Sequence, residues 1–343
     1  MAIVRHLILA EHGTHLGKHS ERLQVTRIKS NEVVEEAPLL HLEAVVIASR
    51  GVSLSADAVR ECAERGIPIH FLSGTGVPYA SLYSAGLTGT VATRRAQLEA
   101  YRDRRGVTVA RTFVQGKLQN QVNLLRYMAK YRKEREPEVY EGVQQGIVLI
   151  QGFAATVEQV DGRCVDEVRE ALLGLEGQAA QVYWEMVRLL LKRDLDWPGR
   201  QTRGAGDIFN QALNYGYGVL YGQVERALVL AGFDPYAGFL HADRPGKPSL
   251  VLDLIEEFRQ QAVDRTLIGM VNKGVKLAQE EKGGLALETR RLIAERVLER
   301  LESPVHYEGQ RMVLRNVLQS QARHLATFLR GEREEYAPFV GEW

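Results

Sequence analysis

The chain has 343 residues, of which 45% are hydrophobic and 25% are charged, with a net charge of +1 and two cysteines. This length predicts two domains, and the composition excludes disordered, collagen-like and disulfide-scaffold proteins. Because no apolar run approaches the roughly 18 residues of a membrane helix, and charge follows the first apolar residues too soon for a signal peptide, we expect a cytoplasmic protein with no membrane association.

Short β-branched runs separated by turn residues predict strands within residues 1–90, at 3–4, 7–9, 23–28, 33–34, 42–47 and 67–72. One helix interrupts them, with Ser53 or Ser55 as its cap, and it ends at Gly66. Many short strands with a single helix predict a small β-sandwich-like domain.

From residue 91 to residue 343 the hydrophobic period is helical. Helices are predicted at 91–106, 108–134, 137–151, 165–194, 207–231, 250–273, 287–302 and 304–330. The predicted fold class is therefore α+β, with a β-rich domain at 1–90 followed by a larger all-α domain at 91–343.

The first two of these helices form a basic segment. Residues 94–135 hold twelve basic and three acidic side chains, so the rest of the chain is acidic. Such a surface attracts a polyanion such as DNA, and Arg102 and Arg105 are candidate phosphate contacts. A solvated helix face whose charges pair with acids elsewhere explains the same composition.

Motifs of P-loop, zincin, serine-hydrolase and dinucleotide sites are absent from the sequence, so candidate chemistry rests on polar residues in apolar places. Glu176 is one of these, because it shares the apolar stripe of helix 165–194 with Leu172 and Ala179. A buried carboxylate needs a partner, and an ion pair with an arginine of another helix is the simpler explanation.

His241 follows an apolar run in a loop, ahead of a helix in which Asp253 and Glu256 share a face among aliphatic residues. Glu257 lies further round and is expected to face solvent or form a salt bridge. One imidazole and two or three carboxylates suit Mg²⁺ or Mn²⁺, and such sites serve phosphoryl chemistry.

The helix at 207–231 carries a polar and aromatic ridge below its predicted cap, Asp207. The ridge consists of Asn210, Asn214, Tyr217 and Tyr221. These side chains suit contact with nucleic acid, and buried hydrogen bonds between helices explain them equally well. Four further residues in flanking loops are candidates for holding phosphate, or are merely solvated: Arg200, Arg203, Arg244 and Lys247.

Several separated sequence blocks carry more weight together than any single motif. They are HLEAVV at 41–46, CAERGIP at 62–68, LEGQAA at 175–180, DIFN at 207–210, NYGY at 214–217, LY at 220–221, GFLH at 238–241 and SLVLDL at 249–254. In this order they resemble the signature blocks of the CRISPR-associated integrase of spacer acquisition, over nearly the whole chain.

The resemblance implies a β-rich domain that forms a symmetric homodimer, a helical domain that holds Mg²⁺ or Mn²⁺, and a small partner protein of the same adaptation complex. It implies that Glu176, His241 and Glu256 bind the metal, although many members carry Asp at the third position. Asp253 matches a second acid that helps the site, and Tyr221 matches an aromatic position that stacks on the end of the DNA duplex. Where the family has Asp-Pro, this chain has Asp-Ile at 207–208, which affects capping rather than chemistry.

The implied activity is phosphodiester transesterification. A DNA 3′-hydroxyl as nucleophile inserts a spacer precursor into a CRISPR repeat, both being double-stranded DNA, and water as nucleophile gives nicking. Two alternatives remain open: a general metal-dependent nuclease of DNA repair, and a non-enzymatic DNA-binding scaffold.

Overall fold

The chain folds into two compact units that are each assembled from separate segments. The computed structural model describes residues 5–84, 91–191, 197–281 and 283–342. Unit 1 contains the described residues of 1–87, 202–222 and 277–298, and unit 2 contains those of 88–201, 223–276 and 299–343. The domains expected at 1–90 and 91–343 remain a prediction.

Unit 1 contains eight strands among its described residues. They are β1 (His6–Leu9), β2 (Thr14–His19), β3 (Arg22–Arg27), β4 (Val33–Pro38), β5 (Ala44–Ile47), β6 (Ser53–Leu54), β7 (Ile69–Leu72) and β8 (Pro78–Leu82). One sheet has the order β1-β5-β7-β8, in which only β8 is antiparallel. The other has the order β4-β3-β2-β6.

The two sheets share one hydrophobic core, as the predicted β-sandwich-like domain requires. Leu7 of β1, Leu23 of β3 and Val45 of β5 are fully buried in it. Helix α1 (Ala56–Glu64) adds Cys62, and the Ser55 hydroxyl caps this helix by accepting a hydrogen bond from the Ala58 amide at 3.1 Å. The strand predicted at 3–4 lies outside the described residues.

The β2 strand is absent from the prediction because its sequence, THLGKH, is mostly polar. Only Thr14 and Leu16 of this strand are buried, since one face of β2 is turned away from the core. Strand assignment from β-branched runs misses a strand of this type.

Helices follow residue 90. They are α2 (Val91–Ala100), α3 (Arg104–Ala129), α4 (Pro137–Gln159), α5 (Val165–Leu190), α6 (Ile208–Leu230), α7 (Ser249–Leu254), α8 (Arg265–Asn272), α9 (Leu287–Leu301) and α10 (Leu314–Leu329). In unit 2, α3 packs against both α4 and α5, and α4 packs against α5. The mixed composition confirms the α+β class. Among the described residues, no helix is long and apolar enough to span a membrane.

The prediction of a helix at 304–330 is wrong for the first ten of these residues. A hairpin of β9 (Pro304–Tyr307) and β10 (Gln310–Val313) takes their place, so residues 91–343 are not all α. Its two-residue turn places Glu308 at φ 48° and Gly309 at φ 76°. Two successive residues in the left-handed conformation match the twist of a β-hairpin and cannot continue an α-helix. Glycine adopts this conformation at the second position without steric strain.

The helix predicted at 250–273 is present but irregular. Between α7 and α8 the chain tightens into a 3₁₀ turn at Ile255–Glu257 and then widens into a π-helical turn at Gln260–Asp264. Departures of this kind often accompany functional sites, because they re-aim side chains that a regular helix would place elsewhere.

Candidate active site

A cluster of buried charges joins three elements of unit 2. The ammonium group of Lys117 on α3 contacts a carboxylate oxygen of Glu176 on α5, and its Nζ lies 2.7 Å from Oε2 of Glu256. Arg259 approaches the other oxygen of Glu256 at 3.1 Å. The side chains of Lys117 and Glu256 are only 8% and 3% exposed, against 20% for Glu176. The arrangement therefore opens to solvent on the side of Glu176.

Glu176 forms an ion pair with another helix, as expected for a carboxylate on an apolar stripe, but its partner is a lysine and not an arginine. Lys117 lies between Val114 and Leu118, which are fully buried, and one helical turn after buried Phe113. The hydrophobic pattern that singles out Glu176 thus singles out Lys117 as well. The sequence prediction missed it because Lys117 was counted with the exposed charges of the basic segment.

The cluster holds its charges at neutral pH. Burial raises the pKa of Glu256, but the charges of Arg259, Lys117 and His241 together lower it to about 2. Burial lowers the pKa of Lys117, and the carboxylates of Glu256 and Glu176 more than reverse this, so its pKa lies above the ordinary value. Opposite charges nearby thus keep both Glu256 and Lys117 ionised.

His241 is held by a single carboxylate. Asp253, whose side chain is fully buried, accepts hydrogen bonds from the amides of Phe239, Leu240 and His241 at 2.6, 3.0 and 2.9 Å. Its Oδ1 also lies 2.7 Å from Nδ1 of the imidazole. With this carboxylate as acceptor, the neutral imidazole favours the tautomer in which Nδ1 carries the proton and Nε2 has the lone pair. Carboxylates orient metal-binding histidines in this way.

Glu257 is fully buried, so the expectation of a solvent-facing or salt-bridging side chain is wrong. Its carboxylate accepts hydrogen bonds from the Tyr336 hydroxyl at 2.7 Å, from Nε2 of Gln321 at 2.8 Å and from the Phe339 amide at 2.9 Å. Burial nevertheless raises its pKa to about 7. The helix has no solvent face here, because the chain is buried all round from Asp253 to Phe258.

The donor set fits a hard divalent cation. Two carboxylates and an imidazole nitrogen are ligands that Mg²⁺ or Mn²⁺ accepts, and Glu256 Oε2 is a buried oxygen that has the ion pair with Lys117 but no hydrogen bond. In the described part of the chain, the three residues do not bring one ligand atom each within 4.8 Å of one another. Lys117 already supplies a positive charge between the two carboxylates, so a metal would compete with it.

The polar ridge of α6 lies in unit 1. Asn210 is fully buried and donates to the Asp207 carboxylate at 2.7 Å, while Asp207 caps the helix by accepting from the Asn210 amide at 2.8 Å. Asn214 donates to the Thr202 carbonyl at 3.1 Å. Tyr217 is 9% exposed and Tyr221 is half-buried. Intramolecular hydrogen bonds thus engage the amides, and the DNA contacts assigned to this ridge remain a prediction.

The predicted phosphate contacts differ in how far the protein itself engages them. The guanidinium of Arg105 is bound to the Asp103 carboxylate and to the Leu329 carbonyl. That of Arg200 lies over the Trp184 ring at 5.8 Å. The others are Arg102, Arg203 and Arg244, which are exposed, and Lys247, which is half-buried and forms an isolated β-bridge with Arg244. Their contacts with DNA remain predictions.

Comparisons with known proteins agree with one another. The sequence model of the family described as "CRISPR associated protein Cas1" matches residues 7–297. A CRISPR-associated endonuclease Cas1 of Archaeoglobus fulgidus is 37% identical over 88% of this chain and 90% of its own. That of Francisella tularensis subsp. novicida is 32% identical over 99% of this chain and 100% of its own.

Solved structures of similar fold include a casposase bound to an integration product, with a TM-score of 0.81 and 24% identity over 97% of this chain and 93% of that one. A CAS1 protein from Thermotoga maritima has a TM-score of 0.73 and 21% identity, over 98% of this chain and 100% of that one. The family match covers more than half of the chain, and the two curated relatives share more than 30% of its residues. The chain belongs to the Cas1 family.

Proposed function

We propose that this protein is a metal-dependent DNA endonuclease and integrase, which inserts DNA fragments into a CRISPR array by phosphodiester transesterification. The observation that carries the proposal is the meeting of Glu176 and Glu256, from distant parts of the sequence, on one buried ammonium group. The curated relatives are named endonucleases, which supports a nuclease activity. The casposase of similar fold is bound to an integration product, which supports an integrase activity.

In this proposal Glu176, Glu256 and Nε2 of His241 hold Mg²⁺ or Mn²⁺. When bound, such an ion supplies Lewis acidity at the scissile phosphate and lowers the pKa of the attacking hydroxyl or water. Glu256 is suited to this role because it is ionised at neutral pH. The Asp253 carboxylate favours the tautomer with Nδ1 protonated, which leaves Nε2 as the ring nitrogen whose lone pair would bind the ion.

The substrates in this proposal are double-stranded DNA, namely the spacer precursor and the CRISPR repeat. Phosphate contacts from the basic segment would position the duplex without reading its sequence. We also infer a homodimer formed through unit 1 and a small partner protein of the same adaptation complex, both acting in the cytoplasm. A complex named Cas6-RT-Cas1–Cas2 contains a region of similar fold that covers 99% of this chain. Its name includes a second protein, Cas2, which supports the inference of a partner.

The proposal is tested with alanine variants at Glu176, His241 and Glu256. The assay measures joining of a labelled duplex fragment to a supercoiled plasmid that carries a CRISPR repeat, in Mn²⁺ or Mg²⁺. We expect each variant to lose strand transfer and nicking while it keeps duplex binding in EDTA, because the ligands act on the metal and not on the DNA backbone. Glu185→Ala is the matched control, since Glu185 is an exposed acid of the same helix, α5.

The assay also separates the alternatives. Full activity in any two of the three variants contradicts the proposed site. Metal-dependent nicking without any joining at a repeat supports a general repair nuclease. DNA binding with no metal-dependent reaction in the wild-type protein supports a non-enzymatic scaffold.

A further inference from the structure

Residues 336–341 form an irregular segment of unit 2 that contacts two of the elements carrying the buried cluster. These are α3, which carries Lys117, and the 3₁₀ turn, which carries Glu256. The segment, which we call the strap, belongs to no helix or strand, yet Tyr336 and Phe339 are only 5% and 1% exposed. A buried segment without regular structure needs partners for its backbone polar groups, and here side chains of other elements supply them.

Asn120 of α3 links the strap to the 3₁₀ turn. Its amide nitrogen donates to the Glu257 carbonyl at 3.0 Å and to the Phe339 carbonyl at 2.7 Å. Its amide oxygen accepts from the Gly341 amide at 2.8 Å, so both N–H donors and the oxygen of this fully buried side chain are used. Asn120 follows Lys117 by three residues, which places this link and the ammonium group of the cluster on the same face of α3.

Glu257 forms a second link between the strap and the 3₁₀ turn. Its carboxylate accepts from the Tyr336 hydroxyl and from the Phe339 amide, both of which belong to the strap. The next residue, Phe258, stacks on the Phe339 ring with 5.0 Å between the centroids and 14° between the planes. Polar and apolar contacts therefore hold the strap against the same short stretch of chain.

Gly116 shows how closely α3 approaches the strap and the 3₁₀ turn. A Cβ atom at this position would lie 2.7 Å from Cβ of Pro338 and 3.2 Å from Cγ of Glu257. Gly116 directly precedes Lys117, so this close packing lies next to the cluster. Because protein interiors are close-packed and transmit strain, a displacement of the strap is expected to displace the 3₁₀ turn.

The backbone around Glu256 needs such support. It passes from a 3₁₀ turn into a π-helical turn, which interrupts the regular hydrogen bonding of an α-helix. We propose that the strap positions Glu256 relative to Glu176, so that both carboxylates can bind one metal ion. Asn120, Glu257 and Tyr336 are then positioning residues, because in the described part of the chain their side chains form no hydrogen bond with the charged groups of the cluster. The inference rests on the proposed function.

The first test measures Mn²⁺ binding to full-length variants by titration calorimetry, without DNA. Tyr336→Phe removes the hydroxyl that donates to Glu257 and keeps the ring, while Asn120→Ala removes the link on α3. Loss of groups that orient metal ligands weakens metal binding about 10- to 100-fold, so we expect about 10-fold for Tyr336→Phe and about 100-fold for Asn120→Ala. Thr289→Val is the matched control, because it removes a buried hydroxyl that accepts from the Ala278 amide at 2.9 Å in unit 1.

The kinetics of strand transfer separate positioning from simple stability. At a temperature where circular dichroism shows every protein to be folded, Tyr336→Phe should lower kcat about 10-fold and leave KM for the duplex nearly unchanged. A merely structural role would lower Tm and leave kcat and the Mn²⁺ Kd at their wild-type values. Because Tyr336→Phe keeps the packing of the ring, it decides the question even where Asn120→Ala fails to fold.

Hydrogen exchange tests the same coupling without any reaction. If the strap favours metal binding, linkage requires that metal binding stabilises the strap to the same extent. Saturating Mn²⁺ should therefore slow exchange of the Phe339 and Gly341 amides in the wild-type protein about 10- to 100-fold relative to EDTA. The Arg105 amide, which donates to the Asp103 carboxylate at 2.8 Å at the start of α3, is the control and should change less.

Three results would each overturn the proposal. They are wild-type Mn²⁺ affinity in both Tyr336→Phe and Asn120→Ala, an equal loss of affinity in Thr289→Val, and exchange of the strap amides that Mn²⁺ does not slow. A wild-type protein that binds no Mn²⁺ overturns the proposed function together with this inference. Mn²⁺ binding that depends on the strap, without strand transfer at a repeat, would refute the proposed integrase activity alone.

Discussion

Replacement of Lys117 by methionine removes the positive charge that joins the two carboxylates and keeps an unbranched apolar side chain. Loss of one partner from a buried ion pair costs about 3–5 kcal/mol. Arg259 remains 3.1 Å from Glu256, so we take the lower end, about 3 kcal/mol. For a unit of 150–250 residues each kcal/mol lowers Tm by about 2–4 °C, so Tm in EDTA should fall by roughly 6–12 °C.

Metal should reverse most of this loss. Without the ammonium group, Lys117 no longer competes with Mn²⁺ for the oxygens of Glu176 and Glu256, so the ion should bind the variant more tightly than the wild-type protein. At a free concentration of about 100 times Kd, binding adds about 2.7 kcal/mol of stability, which is close to the amount lost. Thermal unfolding in EDTA and over a Mn²⁺ series measures both effects, and titration calorimetry gives the two Kd values.

Two further proteins separate charge from packing. Lys117→Met combined with Glu256→Gln removes both charges, so it should be more stable than the single variant in EDTA. Lys133→Met, at an exposed lysine just beyond α3, should leave Tm unchanged. A Lys117→Met protein with the wild-type Tm in EDTA, or one whose loss Mn²⁺ does not reduce, refutes the reasoning.

Two predictions concern the histidine and the assembly. Asp253→Asn should weaken Mn²⁺ binding by about 10- to 100-fold in titration calorimetry. The reason is that an amide is a poorer acceptor for Nδ1–H than a carboxylate and no longer fixes the imidazole. An unchanged Kd would show that Asp253 does not orient the histidine. Light scattering should give a mass near twice that of one chain, since paired or covered strand edges are protected from aggregation, and a monomer at every concentration would contradict the inferred homodimer.

Hydrophobic periodicity predicted part of the buried cluster and could have predicted more. Glu176 stands out because its helix has an apolar stripe and a solvated face, so a carboxylate on the stripe breaks the pattern. Lys117 breaks the pattern of α3 in the same way. The contact between them links residues 59 positions apart, and one sequence gives no distance between two helices. A search for opposite charges on the apolar stripes of different helices would have proposed the pair.

The same reasoning failed where a segment has no solvated face. Around Glu256 almost every side chain is buried, so the angle between Glu256 and Glu257 on a helical wheel could not tell which of them faces solvent. Both are inside the protein, and their surroundings separate them. Glu256 has cationic neighbours, whereas Glu257 has neutral hydrogen-bond donors brought by Gln321 and by the last residues of the chain.

This contrast argues for different uses of two adjacent carboxylates. Burial raises the pKa of Glu257 to about 7 although its neutral donors lower it, and this carboxylate fixes Tyr336 and Phe339 against the helix. The charges around Glu256 lower its pKa to about 2. A buried ion pair is often less stabilising than an apolar replacement of the same size, so stability alone does not explain why Lys117 and Glu256 are both present. The proposed metal site would explain it, because the charge of Lys117 helps to keep Glu256 ionised while no metal is bound.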